Sequence, residues 1–289
     1  MAYRIALGKL LGNRTNSHTR SIHGVEYNAI NAERGDTWVL DDVDILILLA
    51  MLLGGAGAGF INAVAGGGSA LTLPLLMFAG LDASVANGTN RVAVGIQAAT
   101  ATASFHRQGV RPWRASIRDG VVIILGALVG AFGAVRIPST SLETIFGVIF
   151  LLLAVLIIAK PSWLTPSADD LPSRPVTRGV SFFLIGLYGG VFQAGVGVPL
   201  LLGFVNLVGM DVARANAAKV AVVLVYTVLV LFVFQSAGQV DWVYGITLGL
   251  GGVLGSVVGT RAVMDKGVQL VRVVLIIALL GGAARSLLA

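Results

Sequence analysis

The chain has 289 residues, of which 56% are hydrophobic and 12% charged, with a formal net charge of +6 and no cysteine. A soluble domain carries roughly 25% charged residues, so this composition excludes a soluble globular enzyme and makes the bilayer the solvent. Without cysteine there are no disulfides, iron–sulfur clusters or thiolate zinc sites, and 38 glycines suit closely packed membrane helices better than an aromatic-girdled barrel.

In chain order, residues 1–43 form a polar tail of mixed charge with no apolar core of the signal-peptide kind. Its side of the membrane stays open, and no function is placed on it. Runs free of Asp, Glu, Lys and Arg then cover residues 45–81, 120–135, 144–159, 179–210, 220–240 and 242–260. Several reach the roughly 20 residues that a spanning helix needs. The first and fourth are too long for one helix, and each is interrupted near its middle, by Gly66-Gly67-Gly68-Ser69 leading to Pro74 and by Gly195-Val196-Gly197-Val198-Pro199. Each therefore reads as a hairpin of short helices; the alternative is one long kinked helix. Between the halves, residues 160–178 are rich in Pro, Ser, Lys and Arg and read as a cytoplasmic linker.

The chain also matches itself at an offset of 129 residues. Gly66 pairs with Gly195, Gly68 with Gly197, Asp82 with Asp211, Ala86-Asn87 with Ala215-Asn216, Phe105 with Phe234 and Trp113 with Trp242, without a gap. Loop charges differ between the copies. Residues 106–118 carry Arg107, Arg111, Arg114 and Arg118, whereas 235–241 carry no base. Conversely, residues 261–272 carry Arg261, Lys266 and Arg272, whereas 137–143 carry no base. Cytoplasmic loops collect Lys and Arg, so the copies are expected to be inserted upside down relative to one another. The expected fold is an all-α polytopic membrane protein of two inverted-topology repeats, residues 44–159 and 179–289. Each is a broken, re-entrant hairpin followed by three transmembrane helices. The bases are explained by topology, so nucleic acid is not an expected partner.

The run Gly59-Phe60-Ile61-Asn62-Ala63-Val64-Ala65-Gly66-Gly67-Gly68-Ser69, followed by Pro74 and by Ala86-Asn87-Gly88-Thr89-Asn90, with its degenerate second copy, resembles the TauE/SafE family of membrane permeases. The resemblance covers roughly residues 45 to 289. It implies export or uptake of small anions, mostly sulfur oxyanions and organosulfonates such as sulfite or sulfoacetate, in the cell inner membrane. The second copy departs from the pattern in having Gly195-Val196-Gly197-Val198 in place of the glycine triplet.

A helix broken inside the membrane leaves backbone groups unpaired, which is tolerated only where protein or a wet cavity receives them. Two matching breaks point to one central cavity. A helix starting there turns its positive dipole end and free N–H groups toward an anion. Gly67, Gly68, Ser69, Gly195 and Gly197 are the candidate backbone contacts; the alternative is that these glycines only allow close helix packing. Arg91 lies inside a helix that must end near Phe105, and Lys219 lies at nearly the same depth in the duplicate. Intramembrane cations are functional candidates by default, with snorkelling to headgroups as the alternative. Both are expected to bind the anion, and Arg91→Ala or Lys219→Ala to abolish transport without preventing insertion. Asn62, Thr89, Asn90 and Gln193 are further candidates for direct contact, while Asp82, Asn87, Asp211 and Asn216 read as caps and braces. His106 reads as a solvated interfacial residue.

No metal site, cofactor or catalytic residue is expected, because no nucleophile with base and orienting acid stands in the membrane. The expected partners are a small anionic substrate and the lipid bilayer, with a homodimer left open. A lipid-phosphate translocase or a small carboxylate permease remains the alternative, since an arginine and a lysine beside broken hairpins would also hold those groups.

Overall fold

A computed structural model of the chain describes residues 45–64, 66–111, 113–159, 175–265 and 280. The tail 1–43, the greater part of the linker and the chain after Asp265 apart from Leu280 lie outside the described residues, and with them the expected last helix of the second repeat. All regular structure among the described residues is helical: α1 (Ile45–Val64), α2 (Ser69–Phe78), α3 (Ala83–Arg107), α4 (Trp113–Ala134), α5 (Ser139–Ala159), α6 (Pro175–Val191), α7 (Gly197–Leu202, continuing as a π-helical turn Gly203–Leu207), α8 (Val212–Ser236) and α9 (Trp242–Asp265). Four of these are long and apolar enough to cross a membrane, namely α1, residues 117–134 of α4, α8, and Trp242–Ala262 of α9. The chain is an all-α polytopic membrane protein.

Both long apolar runs are broken where Gly and Pro interrupt them. The first stops at Val64 and restarts at Ser69; the second stops at Val191 and restarts at Gly197. The helix α6 opens at Pro175, four residues ahead of the apolar run, because proline is pre-organised for the first helical position and has no N–H to leave unpaired. The offset of 129 reproduces the element boundaries: α3 and α8 are both 25 residues long and start and stop at matching positions. Their C-termini close in the same way. Gly109 and Gly238 adopt positive φ, and the following residues, Val110 and Gln239, donate back to Phe105 and Phe234. At their N-termini, Asp211 accepts from the Arg214 backbone N–H at 3.0 Å, while Asp82 occupies the same cap position with no side-chain bond.

The helices pack through glycine. A Cβ at Gly59 of α1 would lie 2.2 Å from the Gly252 carbonyl oxygen of α9, so the two backbones touch. Gly55 faces Leu248, and Phe60 faces Gly259, so α1 and α9 run parallel. In the same manner Ile123 faces Gly186 and Ala127 faces Gly190, so α4 and α6 run parallel. The duplicate helices α3 and α8 instead run antiparallel: Arg91 stacks on Phe234, and Gly95 faces Thr227. Leu53, Leu152, Phe232 and Leu254 point outward and are exposed, the reverse of a soluble surface and the arrangement that lipid stabilises.

Helix α3 does the opposite of its neighbours. It carries Asn87, Thr89, Asn90, Arg91 and Gln97, all buried, and reaches no membrane-length apolar window. It can cross only because α1, α2, α5, α8 and α9 shield it from lipid.

Candidate functional site

Between the two helix breaks lies a small cavity of about 30 Å³, lined among others by Asn62, Gly66, Ser69, Gln97, Gln193, Gly197 and Lys219. A water needs roughly 10–15 Å³ on this measure, so the space has room for about two or three waters. The floor is backbone against backbone. The Gly197 N–H donates to the Gly66 carbonyl at 3.1 Å, and a Cβ on Gly197 would sit 2.1 Å from the Gly66 Cα. Nothing but glycine fits at either position, and Gly66 also holds φ at 80°, in the left-handed region.

The first break is braced by side chains. The Asn62 side-chain oxygen accepts from the Gly68 N–H at 2.7 Å, and the Asn62 amide donates to Gln97 Oε1 at 2.5 Å. Lys219 reaches in from α8 and donates to the Asn62 backbone carbonyl at 3.1 Å and to Asn216 Oδ1 at 2.6 Å. Its side chain is buried, and no carboxylate lines the cavity with it. The ammonium carries three donors, and the structure gives it two acceptors.

The second break is braced from α3. Arg91 donates to the Gly190 carbonyl at 2.7 Å, to Gly189 at 3.2 Å, to Val191 at 3.4 Å and to Gln193 Oε1 at 2.9 Å, with its guanidinium 4.4 Å above the Phe234 ring. It therefore caps the C-terminus of α6, where unpaired carbonyls and the negative dipole end favour a cation. Asn87 adds a bond to the Val191 carbonyl at 2.8 Å. Gln193 turns the corner at φ 58°, a strained conformation for a residue with a side chain, and its Oε1 also accepts from the Tyr226 hydroxyl at 3.1 Å.

The structure thus gathers Asn62, Ser69, Gln193, Gly197 and Lys219 around one cavity. Gly67, Gly68, Thr89, Asn90, Arg91 and Gly195 stand outside its lining. The physical reasons are visible. The Gly68 N–H already serves Asn62. The Thr89 hydroxyl accepts from the Asp241 N–H at 2.8 Å at the start of α9, and Asn90 Oδ1 accepts from the Thr72 hydroxyl at 2.5 Å. Gly195, at φ 67°, shapes the second break against Leu153. Arg91 spends its fork on the end of α6. Among the caps and braces, Asn216 bonds Lys219 and the Val212 carbonyl.

Comparison with known proteins agrees with this architecture. The family described as "Sulfite exporter TauE/SafE" matches residues 51–286. The chain belongs to the TauE/SafE family. Among its relatives, "Probable membrane transporter protein ORF9" of Sinorhizobium sp is 32% identical over 253 residues, which is 86% of this chain and 95% of that one. "Probable membrane transporter protein YfcA" of Escherichia coli K12 is 29% identical, covering 81% of this chain and 85% of its own. A "Probable membrane transporter protein" of Haemophilus influenzae is 29% identical over 82% and 92%. No solved structure gives a significant match. Membership makes the chain a membrane transporter and not an enzyme, and its multi-pass helical build is that of an inner-membrane protein.

Three residues of this candidate site escape sequence reasoning: Gln97, Tyr226 and Thr227. Gln97 and Tyr226 are partners at the offset of 129, and each braces the amide at its own break, Gln97 holding Asn62 and Tyr226 holding Gln193. The shared offset was the one signal that could have found them; their unlike chemistry hides it from any search for identical residues.

Proposed function

We propose that this protein carries a small anion through the cavity between its two helix breaks, by alternating access of two inverted repeats, and that Lys219 is the cation the anion meets. The carrying observation is a buried ammonium with no carboxylate partner, lining a cavity whose other polar groups are amides and a hydroxyl. A monovalent oxyanion entering there is compensated by Lys219 and accepts hydrogen bonds from Ser69 and the amides of Asn62 and Gln193. Because the cavity has room for only about two or three waters, the anion must widen it. The Gly66–Gly197 contact is the natural place, since a single hydrogen bond joins the two hairpins there. Arg91 acts as a positioning residue, holding the end of α6 so that Gln193 faces the cavity.

Inversion is supported by the antiparallel run of the duplicate helices α3 and α8 and by α1 pairing with α9 as α6 pairs with α4. Charge supports an orientation. Arg107, Arg111, Arg118, Arg178, Arg214 and Arg261 gather at the end of the bundle where α3 and α9 finish and α4, α6 and α8 begin, whereas Asp82, Glu143 and Asp241 stand with Arg136 at the other. The basic end is the cytoplasmic one by the positive-inside rule. The first hairpin then enters and returns from outside and the second from inside. The family's description as a sulfite exporter supports a sulfur oxyanion or organosulfonate such as sulfite as the substrate.

Purified protein in liposomes, assayed with sulfite, sulfoacetate, phosphate and a labelled lipid phosphate, tests this reading. Saturable flux of a sulfur anion that falls at least about tenfold in Lys219→Gln, a loss of some 1.4 kcal/mol in transition-state terms, is expected. Undiminished flux in the variant would overturn the assignment of Lys219, and flux of lipid phosphate alone would favour a translocase.

A further inference from the structure

One apolar cluster shares wall residues with both the Lys219 cavity and a much larger opening at the basic end of the bundle. That opening, a vestibule of about 980 Å³, is lined by Gln108, Gly109, Val110 and Arg111 after α3 and by residues 208–211, Ala213 and Arg214 leading into α8. Between the two spaces lies a compact apolar cluster of Ala63, Ala101, Phe105, Ala217 and Val220, with Val110 packed against it. Ala63, Ala101 and Val220 are also walls of the cavity, and Val110 is also a wall of the vestibule. Phe105 is 1% exposed and is the one large side chain of the cluster; its neighbours are alanines and valines that leave the closing of the path to its ring.

Helix geometry makes this a straight route. Ala98, Ala101, Phe105 and Gln108 fall at three- and four-residue spacing on one face of α3, and Val223, Val220, Ala217 and Ala213 do the same on the antiparallel α8. The first pair on each helix lines the cavity, and the last residue lines the vestibule. From Ala101 to Gln108 the helix rises only about 10 Å. The duplicate residue Phe234 is used differently, lying beneath the Arg91 guanidinium, and neither it nor Arg91 lines the cavity.

We propose that Phe105 is the gate on the basic face, and that rotation of its ring out of the Ala101–Ala217–Val220 contact joins the Lys219 cavity to the vestibule. An apolar constriction of this kind excludes hydrated ions until it widens. The proposal rests on the transport reading only in taking the cavity as the place the substrate occupies. It assigns the side on which that cavity opens next, and it gives Phe105 control over what passes.

The chain contains no cysteine, so one introduced thiol reports cleanly. Ala98→Cys places it on the cavity wall, and an anionic methanethiosulfonate is applied to sealed vesicles of known orientation. Alone, Ala98→Cys is expected to react slowly from both faces. With Phe105→Ala added, labelling from the basic face is expected to accelerate about tenfold or more, the factor that removal of a 1.4 kcal/mol barrier produces, with no change from the other face. Phe234→Ala added instead is expected to leave the rate unchanged. Phe105→Leu, which keeps the apolar packing, should give an intermediate rate and carries the test if Phe105→Ala does not survive purification. An unaltered rate in monodisperse Phe105 variants, an equal effect from Phe234→Ala, or acceleration from the opposite face would overturn the gate. Adding Lys219→Gln separates the two readings. Fast labelling that persists with Lys219 replaced supports the gate whatever the anion assay returns, and a Lys219 variant with full flux removes the anion site without touching the gate.

Discussion

Replacement of Arg91 by methionine distinguishes a substrate ligand from a structural cap. The side chain makes two short charge-assisted bonds, to the Gly190 carbonyl at 2.7 Å and to Gln193 Oε1 at 2.9 Å, and two longer ones. Methionine leaves Gly189 paired with the Gln193 N–H, Val191 paired with Asn87, and Gln193 Oε1 paired with Tyr226. The Gly190 carbonyl loses its donor. Charge-assisted bonds contribute about 1.5–3 kcal/mol each, so the two short ones represent about 3–6 kcal/mol. Methionine recovers part of this by no longer burying a charge. A net loss of about 3 kcal/mol is expected, enough to lower the melting temperature in detergent by several degrees.

The conservative change sharpens the test. Arg91→Lys keeps the charge but has no planar fork with which to reach Gly190 and Gln193 together. It should therefore recover little of the stability, although a requirement for charge alone would be met. The assay is thermal unfolding by fluorescence-detected size exclusion, run beside anion flux in liposomes. A variant that melts like the wild type yet carries no anion would refute the capping argument and return Arg91 to the substrate.

Lys219→Met should behave in the opposite way, losing anion flux while its melting temperature changes little, because relief from burying an unpaired ammonium offsets the bonds to Asn62 and Asn216; a destabilisation as large as that of Arg91→Met would count against it. Gly197→Ala places a methyl 2.1 Å from the Gly66 Cα, where no side chain can move aside, and should cost about 3 kcal/mol or more through overpacking and the lost bond, read as a lower melting temperature with flux abolished. Asp119→Asn weakens the two-point contact in which Arg178 grips Asp119 and ties α4 to α6 at the basic end; with Arg178 partly exposed, a loss of about 1 kcal/mol is expected by the same melting assay. A reporter fused after Gly238 should read outside the cytoplasm, and a cytoplasmic signal there would refute the inversion.

Much of this fold is written in the sequence because its signals are local. The glycine and proline interruptions at Gly66–Ser69 and Gly195–Pro199 fall where α1 and α6 stop, and the offset of 129 carries the limits of α3 onto those of α8 without adjustment. The depth of the two cations was legible too: Arg91 lies about 12 Å and Lys219 about 10 Å along their helices, from the 1.5 Å rise per residue. Their partners were not legible. Arg91 is held by three backbone carbonyls, which every sequence has and no sequence displays, and those of Gly190 and Val191 are open to it only because α6 stops at Val191. Which of the two cations faces the cavity is likewise a matter of helix rotation that nearly equal depth does not reveal. Asp119, between a basic loop and an apolar run, shows nothing in sequence of the contact it makes with Arg178.

The bracing is exchanged between the halves, and this bears on how a bound anion could move them. Arg91, from the first half, caps the broken helix of the second; Lys219, from the second, donates to the Asn62 carbonyl at the broken helix of the first. The two ties differ in what can compete for them. Arg91 is outside the cavity lining, so an anion in the cavity leaves its cap on α6 intact. Lys219 lines the cavity, so an anion there competes directly with the Asn62 carbonyl for the ammonium. An oxyanion is the stronger acceptor, and as it wins, the first hairpin loses its hold on α8 while the second keeps its hold on α3. Substrate would then loosen one half selectively, next to the single Gly66–Gly197 hydrogen bond and beside the Phe105 cluster. A ligand shifts a conformational equilibrium only by its differential affinity for the two states. On the proposed function the differential contact is the Lys219 bond, made to Asn62 in one state and to the anion in the other. On this reasoning a neutral isostere of the substrate, unable to draw Lys219 away from Asn62, should enter without accelerating the exchange between the two faces.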